Sequence, residues 1–105
     1  MNKQGDKEAE NLLSDRVRLS IMVSLVSAKA PLDFNFLLNH LKLTKGNLSS
    51  HIRKLEEAGL VEIIKTFIDR KPNTSYRSTP EGKATFQNYL SGIEELIKIS
   101  RNINR

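Results

Sequence analysis

Apolar positions along the chain change their period from one stretch to the next, and each change marks an element boundary. From Asp15 onward, Val17, Ile21, Leu25 and Ala28 recur every three or four residues, and Met22 and Val26 widen the stripe. That spacing predicts an amphipathic helix, with Ser14 or Asp15 as its N-cap. Pro31 stops it, because the residue before a proline avoids helical dihedrals, and Ala30-Pro31-Leu32 reads as a short extended link. Asp33 can cap a second, short helix whose inner face is Phe34, Leu37, Leu38 and Leu41, with His40 at its end and Lys42-Leu43 making the turn.

A third helix is expected over residues 44–58. The Thr44 hydroxyl can accept a hydrogen bond from the Asn47 amide. Leu48, Ile52 and Leu55 form an i, i+4, i+7 stripe, and Gly59 suits the left-handed residue that follows a helix. Two helices joined by a turn of about four residues, the second one basic, make a helix-turn-helix pattern.

The period then shortens to two. Leu60, Glu62, Ile64 and Thr66 alternate with Val61, Ile63, Lys65 and Phe67, which predicts a strand. Asp69-Arg70-Lys71-Pro72-Asn73 reads as the turn and residues 74–78 as the returning strand, with Phe67 packing within the hairpin. Thr79, Pro80 and Glu81 then have the chemistry of a helix start: a cap, a first-turn proline and an acid at the positive end of the dipole. Phe86, Tyr89, Leu90, Ile93, Leu96 and Ile97 follow as a stripe longer than one small domain needs to cover itself. The expected organisation is an arm over residues 1–13, frayed or weakly helical, one domain over 14–98 whose last helix is 80–98, and a frayed tail over 99–105. The fold class is mainly α with a β-hairpin.

Charge narrows the choice of partner. The 105 residues carry 17 Lys and Arg against 12 Asp and Glu. Residues 41–80 hold eight of the bases and four of the acids, so almost the whole excess lies on the third helix and the hairpin. A basic cluster of that kind is the footprint of a polyanion. Cysteine is absent, which removes disulfides, thiolate metal sites and thiol nucleophiles. No glycine-rich phosphate loop is present, and His40 and His51 have no evident nucleophile or metal-ligand partners. No enzyme, cofactor or metal is therefore expected. Apolar runs are too short to span a bilayer and the polar N-terminus does not read as a signal peptide, so the expected location is the cytoplasm.

Arg18-Leu19-Ser20-Ile21-Met22, Leu32-Asp33-Phe34, the run from Leu43 to Val61, Arg70-Lys71-Pro72 with Thr74 and Tyr76, and Thr79-Pro80-Glu81-Gly82 together resemble the small MarR-related winged-helix domains of prokaryotic transcriptional regulators. The resemblance covers roughly residues 14–97. It implies a winged helix-turn-helix fold: a three-helix core, a wing over 61–78 and a C-terminal dimerisation helix. It also implies a homodimer on duplex DNA, with helix 44–58 in the major groove and the wing on the flanking backbone. Ser78 departs from the family, where an apolar residue is usual, and leaves the burial of that strand end an open expectation.

At 100° per residue, the side of the third helix opposite Leu48 carries Gly46, Ser50, Arg53 and Lys54, with Asn47 and Ser49 on its flanks. Asn47, Ser50 and Arg53 have the groups to read base edges. Lys45 and Lys54 suit phosphates, and Gly46 lets a phosphate approach the helix end that Thr44 caps. Arg70 and Lys71 would extend the contact from the wing. Phe86, Tyr89, Leu90, Ile93, Leu96 and Ile97 are the candidate dimer seam, and His51 is expected to be packed. The competing readings are a winged helix that binds only proteins, through that last apolar stripe, and a binder of structured RNA. The narrow A-form major groove disfavours the latter.

Overall fold

The computed structural model describes residues 3–103. Its elements run α1 (Lys3–Leu12), α2 (Arg16–Ser27), β1 (Leu32–Asp33), α3 (Phe34–His40), α4 (Lys45–Glu57), β2 (Val61–Ile68), β3 (Lys71–Ser78) and α5 (Pro80–Ile103). Four starts are set by a side chain beside the helix. Asp15 accepts from the Arg18 amide at 3.0 Å, Asp33 from Phe36 at 2.7 Å, Thr44 from Asn47 at 3.2 Å and Thr79 from Gly82 at 2.9 Å. Each satisfies one of the amides that a helix start leaves unpaired.

The core is Leu13, Ile21, Met22, Leu25, Leu37, Leu48, Ile52, Leu55, Leu60, Val61, Tyr76 and Phe86, drawn from α2–α5, the sheet and the segments joining them. Burial pushes the Tyr76 hydroxyl above its ordinary pKa, reinforced by the nearby Glu56 charge, so it stays protonated. β3 is the middle strand of a three-stranded antiparallel sheet in the order β1-β3-β2. The extended link after Pro31 supplies β1, pairing Leu32 with Tyr76 and Asp33 with Ser75. Ser78, opposite Val61, is buried, so the end of β3 is covered even with a hydroxyl there.

Several expectations are corrected. The arm is a helix as far as Leu12. Ala9 and Leu12 pack against the core, Leu13 is fully buried, and α1 lies along α5. Those few apolar residues at the end of a charged stretch are enough to dock it. Helix α5 runs on to Ile103, because Ile99 and Ile103 continue the apolar spacing from Leu96 and an ion pair joins Glu95 to Lys98 at 3.6 Å. The frayed ends expected at 1–2 and 104–105 lie outside the described residues. The hairpin reverses in two residues, Asp69 and Arg70, both at positive φ, with Ile68 opposite Lys71. Pro72, expected in the turn, is instead in the ladder opposite Phe67. Its missing N–H is tolerated because β1 ends at the level of Ser75, leaving β3 an edge strand there. Phe67 does not pack within the hairpin; it is 75% exposed.

Two local networks hold α4 and the wing in place. The Arg18 guanidinium, largely buried, donates through Nε to the Leu12 carbonyl at 2.7 Å and lies with Nη1 3.1 Å from His51 Nδ1. It thereby ties the end of α1, α2 and the middle of α4 together. At the base of the wing, the Thr79 hydroxyl donates to the Gly59 carbonyl at 2.6 Å while the Thr79 amide donates to the Leu60 carbonyl at 3.1 Å. Gly59 has φ +79°, and a Cβ on Gly82 would overlap the Leu60 carbonyl.

Gly82→Ala is expected to force this junction apart and to lower stability by about 2 kcal/mol, read as a lower midpoint in urea. Asp15 gives a pH-dependent expectation. The Arg18 backbone hydrogen bond is the largest effect and lowers its carboxyl pKa; burial, next in size, opposes it, and the Arg18 and His51 charges add further lowering, so the carboxyl lies below the ordinary pKa. A lowered folded-state pKa stabilises above the unfolded value, about 3.9, and the contribution is lost as pH falls through the folded value. Asp15→Ala should therefore cost about 1 kcal/mol at neutral pH, and urea melts should show the gap to the parent protein closing at acid pH.

Candidate nucleic-acid interface

Helix α4 has two edges of opposite character. Leu48, Ile52 and Leu55 are buried, and α4 touches α2, α3 and β2. Burying each of these side chains contributes roughly 2 kcal/mol, so the edge that faces inward is settled by hydrocarbon. Thr44, Lys45, Gly46, Asn47, Ser49, Ser50, Arg53 and Lys54 are all exposed. The expected polar face is therefore bare along its whole length. His51, between the two edges, is half-buried and held by Arg18, as its place on the border of the stripe implied.

The helix start is open as well. Thr44 caps the Asn47 amide, and a Cβ added at Gly46 would meet nothing within 4 Å. The fold itself does not require glycine there. What its bareness allows is an anion close to the positive end of the helix dipole.

The wing forms a second patch, set off from α4 by a strand of eight residues, or about 26 Å. Arg70 and Lys71 are exposed at its tip, and Lys65, not foreseen as a site residue, is exposed on the face that continues from Val61 and Ile63. Period-two alternation was the signal that could have found it. Arg77 is different: it forks onto Glu62 with two bonds of 3.2 Å, so this pair cancels its own charge. Among the described residues, Lys45, Arg53, Lys54, Lys65, Arg70 and Lys71 form no ion pair within the chain. Their charge is not neutralised by an ion pair among the described residues.

Arg70 stands at the second turn position with φ 69°, and Asp69 at the first with φ 52°. Two-residue turns of this hand favour Asn-Gly or Asp-Gly. A side chain in the left-handed region costs on the order of 1 kcal/mol. A cation is kept where glycine would be relaxed.

The apolar stripe on α5 divides in two. Phe86 is in the core and Tyr89 is packed against it. Ile93 is half-buried, while Leu90, Leu96 and Ile97, followed by Ile99 and Ile103, are exposed. Phe86 thus faces inward, and the apolar surface presented by α5 starts at Leu90. No helix among the described residues is long and apolar enough to cross a membrane, and no group of three or more His, Asp or Glu side chains among them could hold a metal ion.

Comparison with known proteins agrees with this geometry. The model of a family described as a winged helix DNA-binding domain matches residues 17–97. An uncharacterized protein of Methanocaldococcus jannaschii is 39% identical over 87 residues, covering 83% of this chain and 90% of that one. The structure of a transcriptional regulator homologue from Pyrococcus horikoshii OT3 superposes with a TM-score of 0.77 at 36% identity, over 90% of this chain and 95% of that one. A protein of Enterococcus faecalis V583 assigned to the MarR family of transcriptional regulators has the same fold, with a TM-score of 0.79 at 23% identity over 100% of this chain and 94% of its own. Taken with the bare polar edge of α4 and the basic wing beside it, these matches establish that the chain belongs to the winged helix DNA-binding domain family.

Proposed function

We propose that this protein is a sequence-specific, duplex-DNA-binding repressor that works as a homodimer in the cytoplasm. The observation that carries the reading is the face of α4: Asn47, Ser50, Arg53 and Lys54 are exposed in one element whose opposite edge is buried. A helix about 10–12 Å across fits a major groove about 12 Å wide. Asn47, Ser49, Ser50 and Arg53 would meet base edges, with the Arg53 fork suited to guanine. Lys45 and Lys54, with the amides around Gly46, would meet phosphates, and Arg70 and Lys71 would extend the contact along the backbone. Affinity then comes mainly from counterion release and specificity from the α4 side chains.

The outer half of α5 supplies the second copy's contact surface. Leu90, Leu96 and Ile97 are exposed, with Ile93 half-buried beside them. Pairing two copies there would place two α4 helices on successive major grooves, about 34 Å apart. Repression follows from occupying a promoter.

Binding to genomic fragments in gel shifts should weaken steeply as salt is raised. Arg53→Ala should cost about 1–3 kcal/mol on a selected site and little on random DNA; equal losses on both would make Arg53 a phosphate contact. Leu96→Glu places a charge in the proposed seam without touching the core, and light scattering should report monomers. A dimer that survives it would move the interface elsewhere.

A further inference from the structure

The most exposed aromatic side chain among the described residues is at the tip of the wing. Phe67 is 75% exposed and Ile68, next to it, 56%. The other aromatic rings are all better covered. Phe86 and Tyr76 are in the core, Phe34 and Tyr89 pack against it, and Phe36 stacks on His40 with ring centroids 5.1 Å apart. Phe67 is not part of the core or of the apolar residues packed against it.

Its surroundings are cationic. Lys65 precedes it on the same face of β2, Arg70 and Lys71 follow across the turn, and Asp69 is the only acid at the tip. Glu62, the next acid along the wing, is engaged by Arg77. Pro72 stands opposite Phe67 in the ladder, so one face of the tip carries an apolar pair with Lys65 two residues back on β2, while Lys71 pairs with Ile68 on the other face and Arg70 stands in the turn. The two-residue reversal keeps that tip only two strands wide, about 4.8 Å between strands.

We propose that Phe67 is an apolar wedge that enters the minor groove of duplex DNA and partly unstacks one base step, bending the helix. The inference rests on the DNA-binding reading above and adds a contact of a different kind to it. A minor groove about 6 Å wide has the complementary pattern: apolar sugar and base surface between two rows of phosphates. Lys65, Arg70 and Lys71 match the phosphates, and the ring, which an anion would not attract, matches what lies between them. Apolar side chains inserted in this way open a base step and kink the duplex. The easiest steps to open are pyrimidine–purine ones, so Phe67 would add a preference at positions α4 does not touch.

The test uses the full chain and a duplex of about 30 base pairs, long enough for two half-sites, retained by the parent protein from a randomised pool. 2-Aminopurine is placed at successive steps of that duplex. The parent protein should raise fluorescence several-fold at one step in each half-site and bend the duplex in a circular-permutation gel. Phe67→Ala should abolish both signals and weaken binding roughly ten-fold, the scale of one lost base–aromatic stack, with an unchanged melting curve. Phe67→Leu should keep part of the signal, and Lys71→Ala should keep all of it while flattening the salt dependence. The proposal is overturned if Phe67→Ala retains the fluorescence change and the bend. It is also overturned if that variant alters only the oligomeric state, or only binding to phosphatidylserine vesicles, since the occupant of the tip would then be a second copy or a membrane. If the parent protein retains no duplex from the pool, the DNA-binding reading itself fails, an outcome distinct from the others.

Discussion

The structure depends above all on the burial of one edge of α4. Leu48, Ile52 and Leu55 enter the core shared with α2, α3 and the base of the sheet. A roll of α4 by a single residue, about 100°, would carry a hydroxyl or a cation into that core and bring a leucine out. Hydrocarbon therefore fixes the rotation of the helix, and the rotation fixes which side chains face outward. The Arg18–His51 contact adds a directional lock where hydrophobic packing has none. It spends a largely buried guanidinium on positioning rather than on a ligand.

Backbone conformation separates what the fold requires from what it tolerates. Gly82 is required, by a carbonyl too close for any side chain, and Gly59 is favoured by a left-handed turn. Lys42, Asp69 and Arg70 also have positive φ, yet none is glycine. At Arg70 the strain coincides with the most projecting part of a basic hairpin. There the local cost in stability falls on an exposed cationic side chain.

Much of this was legible in the sequence because the deciding interactions are local. The caps Asp15, Asp33, Thr44 and Thr79 act within three residues of themselves, and the stripe of α4 follows from its period alone. The same period identified the exposed face of α4 residue by residue. What was not legible depends on partners distant in the chain. The α1 helix forms because it lies along α5, and β1 exists only because Tyr76 and Ser75 run beside it. The position of the hairpin turn is not legible locally, because Pro72-Asn73 has turn chemistry and Asp69-Arg70 lacks its usual glycine. Register along the whole hairpin outweighed both. Residue type alone predicts a packed Phe67, because aromatic residues usually are; its exposure follows from strand length, which carries it away from the core. The division of the α5 stripe, with Phe86 facing inward and Leu96 outward, follows from where the core ends along a helix about 36 Å long.

Thr79 has a mechanical consequence. One side chain both starts α5 and closes the base of the wing, and the backbone packing at Gly82 leaves no slack between them. The start of the helix and the base of the hairpin thus share one set of contacts. Any displacement of the start of α5 would therefore bear directly on the base of the hairpin, through Thr79 and the Gly82–Leu60 contact.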